Sequence, residues 1–136
     1  MFGKKSEGKP LGRIDSLIGA GTRIEGSLFF TGGLRIDGEV KGSVQAVEGA
    51  SAPTLVLSEQ ARIEGAVSVA HFVSNGTVVG PVVVTETLEM QPRARIVGDV
   101  EYASIEMHRG AVIGGRLVSR PASSGELTAV DSAKDN

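Results

Sequence analysis

One short pattern recurs along the chain and limits what it can fold into. The pattern is a β-branched residue, any residue, glycine, any residue and then an aliphatic residue. One glycine from each copy gives a series with steps of 16, 23, 15, 18 and 17 residues: Gly26, Gly42, Gly65, Gly80, Gly98 and Gly115. These steps indicate six repeats with a period close to 17 residues, and such self-similarity predicts an architecture in which each repeat packs on its neighbours.

Three repeats, at residues 55–67, 88–100 and 105–117, align with one another without gaps. Each begins with apolar residues at its first and third positions, continues through a turn-like stretch and ends in the glycine pattern. The long step of 23 residues contains the segment EGASAP at 48–53, which we interpret as a loop insertion.

Apolar and polar residues alternate next to the glycines, as in RIDGEV at 35–40 and RIEGAV at 62–67. A period of two is typical of short strands with one apolar face. Strands this short bury that face only by stacking on copies of themselves, and glycine suits the corners between them. The sequence therefore predicts an all-β fold, a single-stranded β-helix (β-solenoid) of about six coils over residues 17–120, with three short strands in each coil.

The two ends of the chain differ from this repeated block. Residues 1–16 carry four basic and two acidic side chains, and residues 121–136 carry one basic and three acidic side chains. Both segments are rich in glycine, serine, proline or charge and have no apolar period, so we predict that both are disordered tails.

Composition narrows the range of functions and compartments. The chain of 136 residues has no cysteine and a net charge of −2, which argues against disulfides and against nucleic acid as a main ligand. No apolar run approaches the roughly 18 residues that a membrane span needs, and no apolar stretch follows the N-terminal lysines. We therefore expect a cytoplasmic protein.

No set of residues in the sequence forms a convincing catalytic or metal site. The two histidines are His71, near a predicted strand start, and His108, in a turn-like stretch where a surface position is expected. There is no cysteine nucleophile and no glycine-lysine-serine or -threonine phosphate loop. We expect no catalytic residue, no metal, no cofactor and no nucleotide. The acidic residues near the glycine pattern are expected to pair with arginines across coils: Glu25, Asp37, Glu39, Glu64 and Asp99.

The two terminal coils of a solenoid carry unpaired backbone groups and an apolar layer, and such edges promote further pairing unless they are capped. We find no capping pattern, so we predict end-to-end self-assembly; the alternative is a monomer whose tails fold over both tips. The residues predicted for the interface are Leu28, Phe29 and Phe30 at the N-terminal tip, and Ile105, Val112, Ile113 and Leu117 at the C-terminal tip.

The tandem Ile-x-Gly-x-Val units, the segment LRIDGEVKGSV at 34–44 and the opening Met1-Phe2-x-Lys4-Lys5 resemble the bactofilins. The resemblance covers nearly all of 17–120 and the N-terminal motif. It implies a right-handed β-helix that polymerises without nucleotide into bacterial cytoskeletal filaments. It also implies attachment to the inner face of the cytoplasmic membrane through Met1, Phe2, Lys4 and Lys5, and a scaffold role for cell-shape or cell-wall enzymes. The short tails and the insertion at 48–53 depart from the family pattern.

Two alternative functions are also compatible with a β-solenoid. A hexapeptide-repeat acyltransferase would have an aliphatic residue every six positions, strict 18-residue turns and a loop with a catalytic histidine, which this sequence lacks. A monomeric solenoid that binds or cleaves carbohydrate would need an exposed aromatic row or clustered carboxylates. Binding of acetyl-CoA would favour the first, sugar binding the second, and concentration-dependent filaments the scaffold.

Overall fold

The structure, a computed structural model, describes residues 14–47 and 53–120, and these residues form strands and turns without a helix. The strands, in chain order, are β1 Ser16–Ile18, β2 Arg23–Glu25, β3 Leu28–Phe30, β4 Gly33–Ile36, β5 Glu39–Lys41, β6 Val44–Ala46, β7 Thr54–Leu57, β8 Arg62–Glu64, β9 Val67–Ser74, β10 Thr77–Val79, β11 Val82–Met90, β12 Arg95–Val97, β13 Val100–Met107, β14 Val112–Gly114 and β15 Leu117–Ser119.

The strands wind into six coils, at residues 16–30, 33–46, 54–69, 71–84, 87–102 and 104–119, and every strand pairs in parallel with its copy in the next coil. Wall A contains β1, β4, β7 and the second halves of β9, β11 and β13. Wall B contains β2, β5, β8, β10, β12 and β14. Wall C contains β3, β6, the first halves of β9, β11 and β13, and β15. The predicted β-solenoid of about six coils is confirmed, and at about 4.8 Å per coil it is roughly 30 Å long.

The core consists of apolar columns that run along the solenoid axis. On wall B the parallel register places Ile24, Val40, Ile63, Val78, Ile96 and Ile113 one above the other. The four middle members of this column are fully buried. Burial of one such side chain stabilises the fold by about 1.5–3 kcal/mol, so each coil adds stability only where another coil covers it.

Glycine stacks on glycine at the corner between walls B and C. A Cβ atom added at Gly65 would overlap the carbonyl oxygen of Gly42, one coil earlier, and the same holds for Gly80 over Gly65 and for Gly115 over Gly98. The backbones approach too closely for any side chain at this corner. The repeated glycine therefore reflects backbone contact between coils, in addition to the bend.

The length of the corner between walls A and B differs among the coils, which contributes to the variation in repeat length. In the first, third, fifth and sixth coils this corner is a turn of four residues, closed by hydrogen bonds such as Ala94 N–H to the Gln91 carbonyl at 2.9 Å. In the second and fourth coils it has two residues, and Asn75-Gly76 is one of these shorter corners. The three repeats that align without gaps are three of the four coils with the longer turn after wall A. Most of the segment 48–53, the predicted insertion, lies outside the described residues.

The surface charges pair differently from the sequence-based expectation. Cross-coil pairs were expected for the acidic residues beside the glycines. Direct cross-coil pairs form elsewhere, between Arg93 and Glu59 at 3.7 Å and between Arg120 and Glu101 at 3.8 Å. On the first three coils, three direct ion pairs join residues two apart in one coil. These are Arg23–Glu25 at 3.2 Å, Arg35–Asp37 at 2.8 Å and Arg62–Glu64 at 2.8 Å. Residues two apart in a strand project from the same side, so an Arg-x-Glu or Arg-x-Asp spacing brings the charges together without a second coil.

Opposite charges on adjacent coils add a weaker interaction. The hydrogen bond that Arg62 donates holds the pKa of Glu64 below its ordinary value, and the charge of Lys41 on the preceding coil lowers it further. A carboxyl group with a lowered folded-state pKa favours the folded chain above its unfolded pKa, and this contribution is lost as the pH falls through the lowered value. Because Glu64 lies at the surface, solvent and salt screen the effect.

Two adjacent glycines allow the glycine stacking to be tested. We expect Gly115→Ala to destabilise the solenoid by about 1–3 kcal/mol, because its new methyl group overlaps the Gly98 carbonyl oxygen. Gly114→Ala is the matched control, since its Cβ would meet only the Ile96 carbonyl oxygen at 3.9 Å. Urea unfolding of dilute protein, followed by circular dichroism, measures both. Equal losses of stability in the two variants would contradict the proposed role of the glycine column.

Candidate functional site

The sixth coil forms an open end of the solenoid. Its three strands, which are the second half of β13, β14 and β15, pair with the fifth coil on one side. On the other side no strand pairs with them within the described parts of the chain. The outer edge of this coil therefore presents a sheet edge on all three walls, and such an edge can extend the ladder with another strand.

The apolar columns of the core also end open at this coil. Met90 and Val100 of the fifth coil are fully buried, whereas Met107 and Leu117, their partners in register, are 42% and 47% exposed. Ile105 and Ile113 are half-buried against the same core. We call these four inward-facing side chains, Ile105, Met107, Ile113 and Leu117, the C-terminal tip.

The N-terminal end, in contrast, exposes less of its apolar core. Phe30 and Ile18 of the first coil are 8% and 9% exposed, and Ile24 and Leu28 pack half-buried against the core. The phenyl ring of Phe30 lies in register with the small Ala46 of the second coil, so a large side chain covers the end of that column. The two ends therefore offer unequal apolar surfaces.

Two of the residues predicted for the interface lie on side walls and not on a tip. Phe29 is 61% exposed on wall C, and Val112 is exposed on wall B. Side chains alternate along a strand, so Phe29 points away from the core while its neighbours Leu28 and Phe30 point into it. By the same alternation, Ile113 points inward and Val112 outward.

The other predicted interface residues lie in inward columns at the two tips: Leu28, Phe30, Ile105, Ile113 and Leu117. Sequence reasoning missed Met107, which is the third residue of the repeat at 105–117. The signal was available, because that position aligns with Leu57 and Met90, which are both buried in the structure. An exposed methionine at a core position is what an unstacked coil produces.

The residues predicted to bind the membrane, Met1, Phe2, Lys4 and Lys5, lie outside the described residues. The described chain enters the solenoid at Ile14 and Asp15, ahead of β1 on the first coil. The segment that carries the lysines is thus connected to the coil opposite the C-terminal tip. Among residues 14–47 and 53–120, no helix is long and apolar enough to cross a membrane.

The histidines do not meet. His71 lies on wall A of the fourth coil, and His108 lies two coils further on, exposed in the turn after β13. A shallow cavity of about 330 Å³ lies at the corner between walls A and B of the first three coils. Its lining residues include no histidine: Gly21, Thr22, Arg23, Asp37, Gly38, Glu39 and Gln60.

Comparison with known proteins points to one family. The family model described as "Bactofilin: Polymer-forming cytoskeletal" matches residues 16–118. This match spans the solenoid from its first coil into its last strand. Searches of curated proteins and of solved structures found no match.

Substitutions at two adjacent residues of β15 distinguish assembly through the tip from assembly through a side wall. Leu117 and Val118 are 47% and 46% exposed, but Leu117 continues the core column of Val100 and Val118 points outward from wall C. We expect Leu117→Arg to abolish assembly, because it places a charge where an apolar layer would be covered. We expect Val118→Arg to assemble as the unchanged protein does. Sedimentation and negative-stain microscopy measure assembly.

Circular dichroism and thermal unfolding of both variants provide the control for folding. Since Leu117 is exposed at the end of a column, Leu117→Arg should keep the β-sheet spectrum. Filaments formed by Leu117→Arg, or their loss in Val118→Arg alone, would show that the contact lies on a side wall.

Proposed function

The chain belongs to the bactofilin family of polymer-forming cytoskeletal proteins, and from that premise we propose that its solenoids stack end to end into filaments that serve as a cytoskeletal scaffold. The observation that carries the proposal is the C-terminal tip, where core columns that are buried in the fifth coil emerge exposed at Met107 and Leu117. A stacked neighbour would continue both the columns and the backbone ladder.

The same contact supports assembly without nucleotide. Half of the side chain of Met107 and of Leu117 is already buried, and covering the remainder contributes about 1 kcal/mol for each. Ile105 and Ile113, together with new backbone hydrogen bonds along three strands, add to this. Stacking thus derives its free energy from burial and ladder extension, and no hydrolysis step is required to drive it.

We further propose that the N-terminal segment holds the filament at the inner face of the cytoplasmic membrane. Insertion of one phenylalanine such as Phe2 is worth roughly 1.5–3 kcal/mol, and a lysine near an anionic leaflet adds about 1 kcal/mol. One such segment binds weakly and reversibly. A filament carries one segment for each subunit, so multivalency converts weak binding into stable attachment.

A structural role without catalysis is part of the proposal. It is supported by membership of a polymer-forming cytoskeletal family. The filament would organise enzymes of the cell wall or determinants of cell shape by holding them along a line at the membrane. Its partners would bind the side walls, because the tips are occupied in the filament.

The experiment that tests the scaffold proposal is microscopy of purified protein over a concentration series, with and without added nucleotide. We expect filaments above a threshold concentration and no effect of ATP or GTP. Protein that stays a single unit at high concentration would contradict the proposal. Protein that binds and turns over acetyl-CoA would favour the acyltransferase alternative.

Removal of the N-terminal residues separates membrane binding from assembly. We expect deletion of residues 1–5 to release filaments from anionic liposomes while the filaments persist in solution, because the deleted residues precede the first coil. Liposome flotation measures binding, and sedimentation measures assembly.

The double variant Lys4→Gln, Lys5→Gln serves as a second probe, since it keeps Phe2 and removes only charge. It should weaken binding to anionic liposomes and leave binding to neutral ones little changed. Unchanged flotation of both variants would show that the membrane contact lies elsewhere.

A further inference from the structure

Three metal-ligating side chains converge at the rim of the C-terminal tip, on the A–B corner of the last two coils. The Nε2 atom of His108 lies 3.2 Å from Oε2 of Glu89 and 3.6 Å from Oε2 of Glu106. The ligating atoms of all three side chains lie within 4.8 Å of one another. Glu89 belongs to β11, Glu106 to β13, and His108 follows β13 directly.

The two carboxylates are held together by the fold itself. Glu89 and Glu106 are partners in the parallel register of β11 and β13, so both project outward from wall A one coil apart. Like charges directly opposite on neighbouring strands repel each other. In the two preceding coils the same column holds Val56 and Val73, so the acidic pair is confined to the last two coils.

A cation between the two carboxylates would relieve their repulsion, and no permanently charged side chain of the described chain is placed to do so. Among residues 14–47 and 53–120, no lysine or arginine forms an ion pair with Glu89 or Glu106. The amide of Gln91 donates a hydrogen bond to Oε2 of Glu89 at 3.4 Å, which restrains the carboxylate but brings no charge. Within the described part of the chain, His108 is the group that forms ion-pair contacts with both carboxylates.

The distances fit a metal ion as well as they fit a hydrogen bond. Zinc binds imidazole nitrogen and carboxylate oxygen at about 2.0–2.2 Å in a tetrahedron, which separates the ligand atoms by about 3.3–3.5 Å. The separations of 3.2 Å and 3.6 Å at His108 already bracket this value. The two carboxylates lie within 4.8 Å of each other. Side-chain rotation can adjust this separation, because all three side chains are partly exposed to solvent.

We propose that Glu89, Glu106 and His108 bind a divalent transition-metal ion of the zinc class at the rim of the C-terminal tip, with water in the fourth position. The ion lies between Nε2 and the carboxylates and cancels their two negative charges. An imidazole ligand selects zinc, cobalt, nickel or copper over calcium and magnesium, which prefer oxygen ligands. All three ligands come from one chain, so the site does not depend on assembly.

The test uses Co²⁺ as the probe, because a nitrogen and oxygen site of low coordination number gives Co²⁺ much stronger visible absorption, at longer wavelength, than the octahedral hydrated ion has. We expect one saturable site per chain near neutral pH, from which Zn²⁺ displaces Co²⁺ and Mg²⁺ does not. His108→Asn and Glu106→Gln should each weaken binding at least about tenfold. His71→Asn and Glu101→Gln are matched controls that should leave binding unchanged, since neither residue belongs to the cluster.

The titration is repeated on Leu117→Arg to distinguish this proposal from the assembly proposal. Equal Co²⁺ binding by that variant and by the unchanged protein supports an intrachain site, whether or not filaments form. Circular dichroism confirms that each variant is folded. Absence of the stronger Co²⁺ absorption in the unchanged protein, or binding that survives both His108→Asn and Glu106→Gln, would overturn the proposal and leave an ordinary surface hydrogen bond.

Discussion

The close contact between the backbones of successive coils is the constraint on which this structure depends. At the B–C corner each glycine from Gly42 onward lies against the carbonyl of the glycine one coil before it, with no room for a side chain. This contact keeps the coils at strand spacing, so inward side chains form continuous columns and backbone groups pair along three walls. The same geometry leaves the last coil without a partner in the described chain, since a stack of equivalent coils has no built-in end.

Much of the fold could be predicted from the sequence because its physical basis is local and repeated. The glycine series gave the number of coils, and the alternation beside each glycine gave the strands. The direction of a side chain was harder to predict where apolar and polar residues do not alternate. Leu28-Phe29-Phe30 and Val112-Ile113 are consecutive apolar residues, so the pattern cannot tell which of them points inward. Only the register with Val44 and with Ile96 settles this, and it places Phe29 and Val112 on the side walls.

The polar contacts could be predicted only with knowledge of which residues become neighbours in space. The expectation of cross-coil charge pairs overlooked the Arg-x-Glu spacing, which brings Arg62 and Glu64 together within one strand. The sequence also predicted no metal site. Yet the repeats that align without gaps already placed Glu89 over Glu106, a signal that becomes meaningful once aligned positions are known to be adjacent in space. The contact of His108 with both carboxylates follows from the turn after β13, and no sequence pattern predicted it.

The central claim is that the open coil is covered by another molecule, and amide hydrogen exchange of the assembled protein tests it most directly. The account predicts that the amides of the sixth coil that point away from the fifth coil exchange rapidly in dilute protein and become strongly protected at assembling concentrations. Amides that already donate to the fifth coil, such as that of Val112 to the Ala94 carbonyl, should change less. Amides of the third and fourth coils, which are covered on both sides in either state, should change little. Assembled protein whose last coil exchanges as fast as in the single molecule would contradict the account.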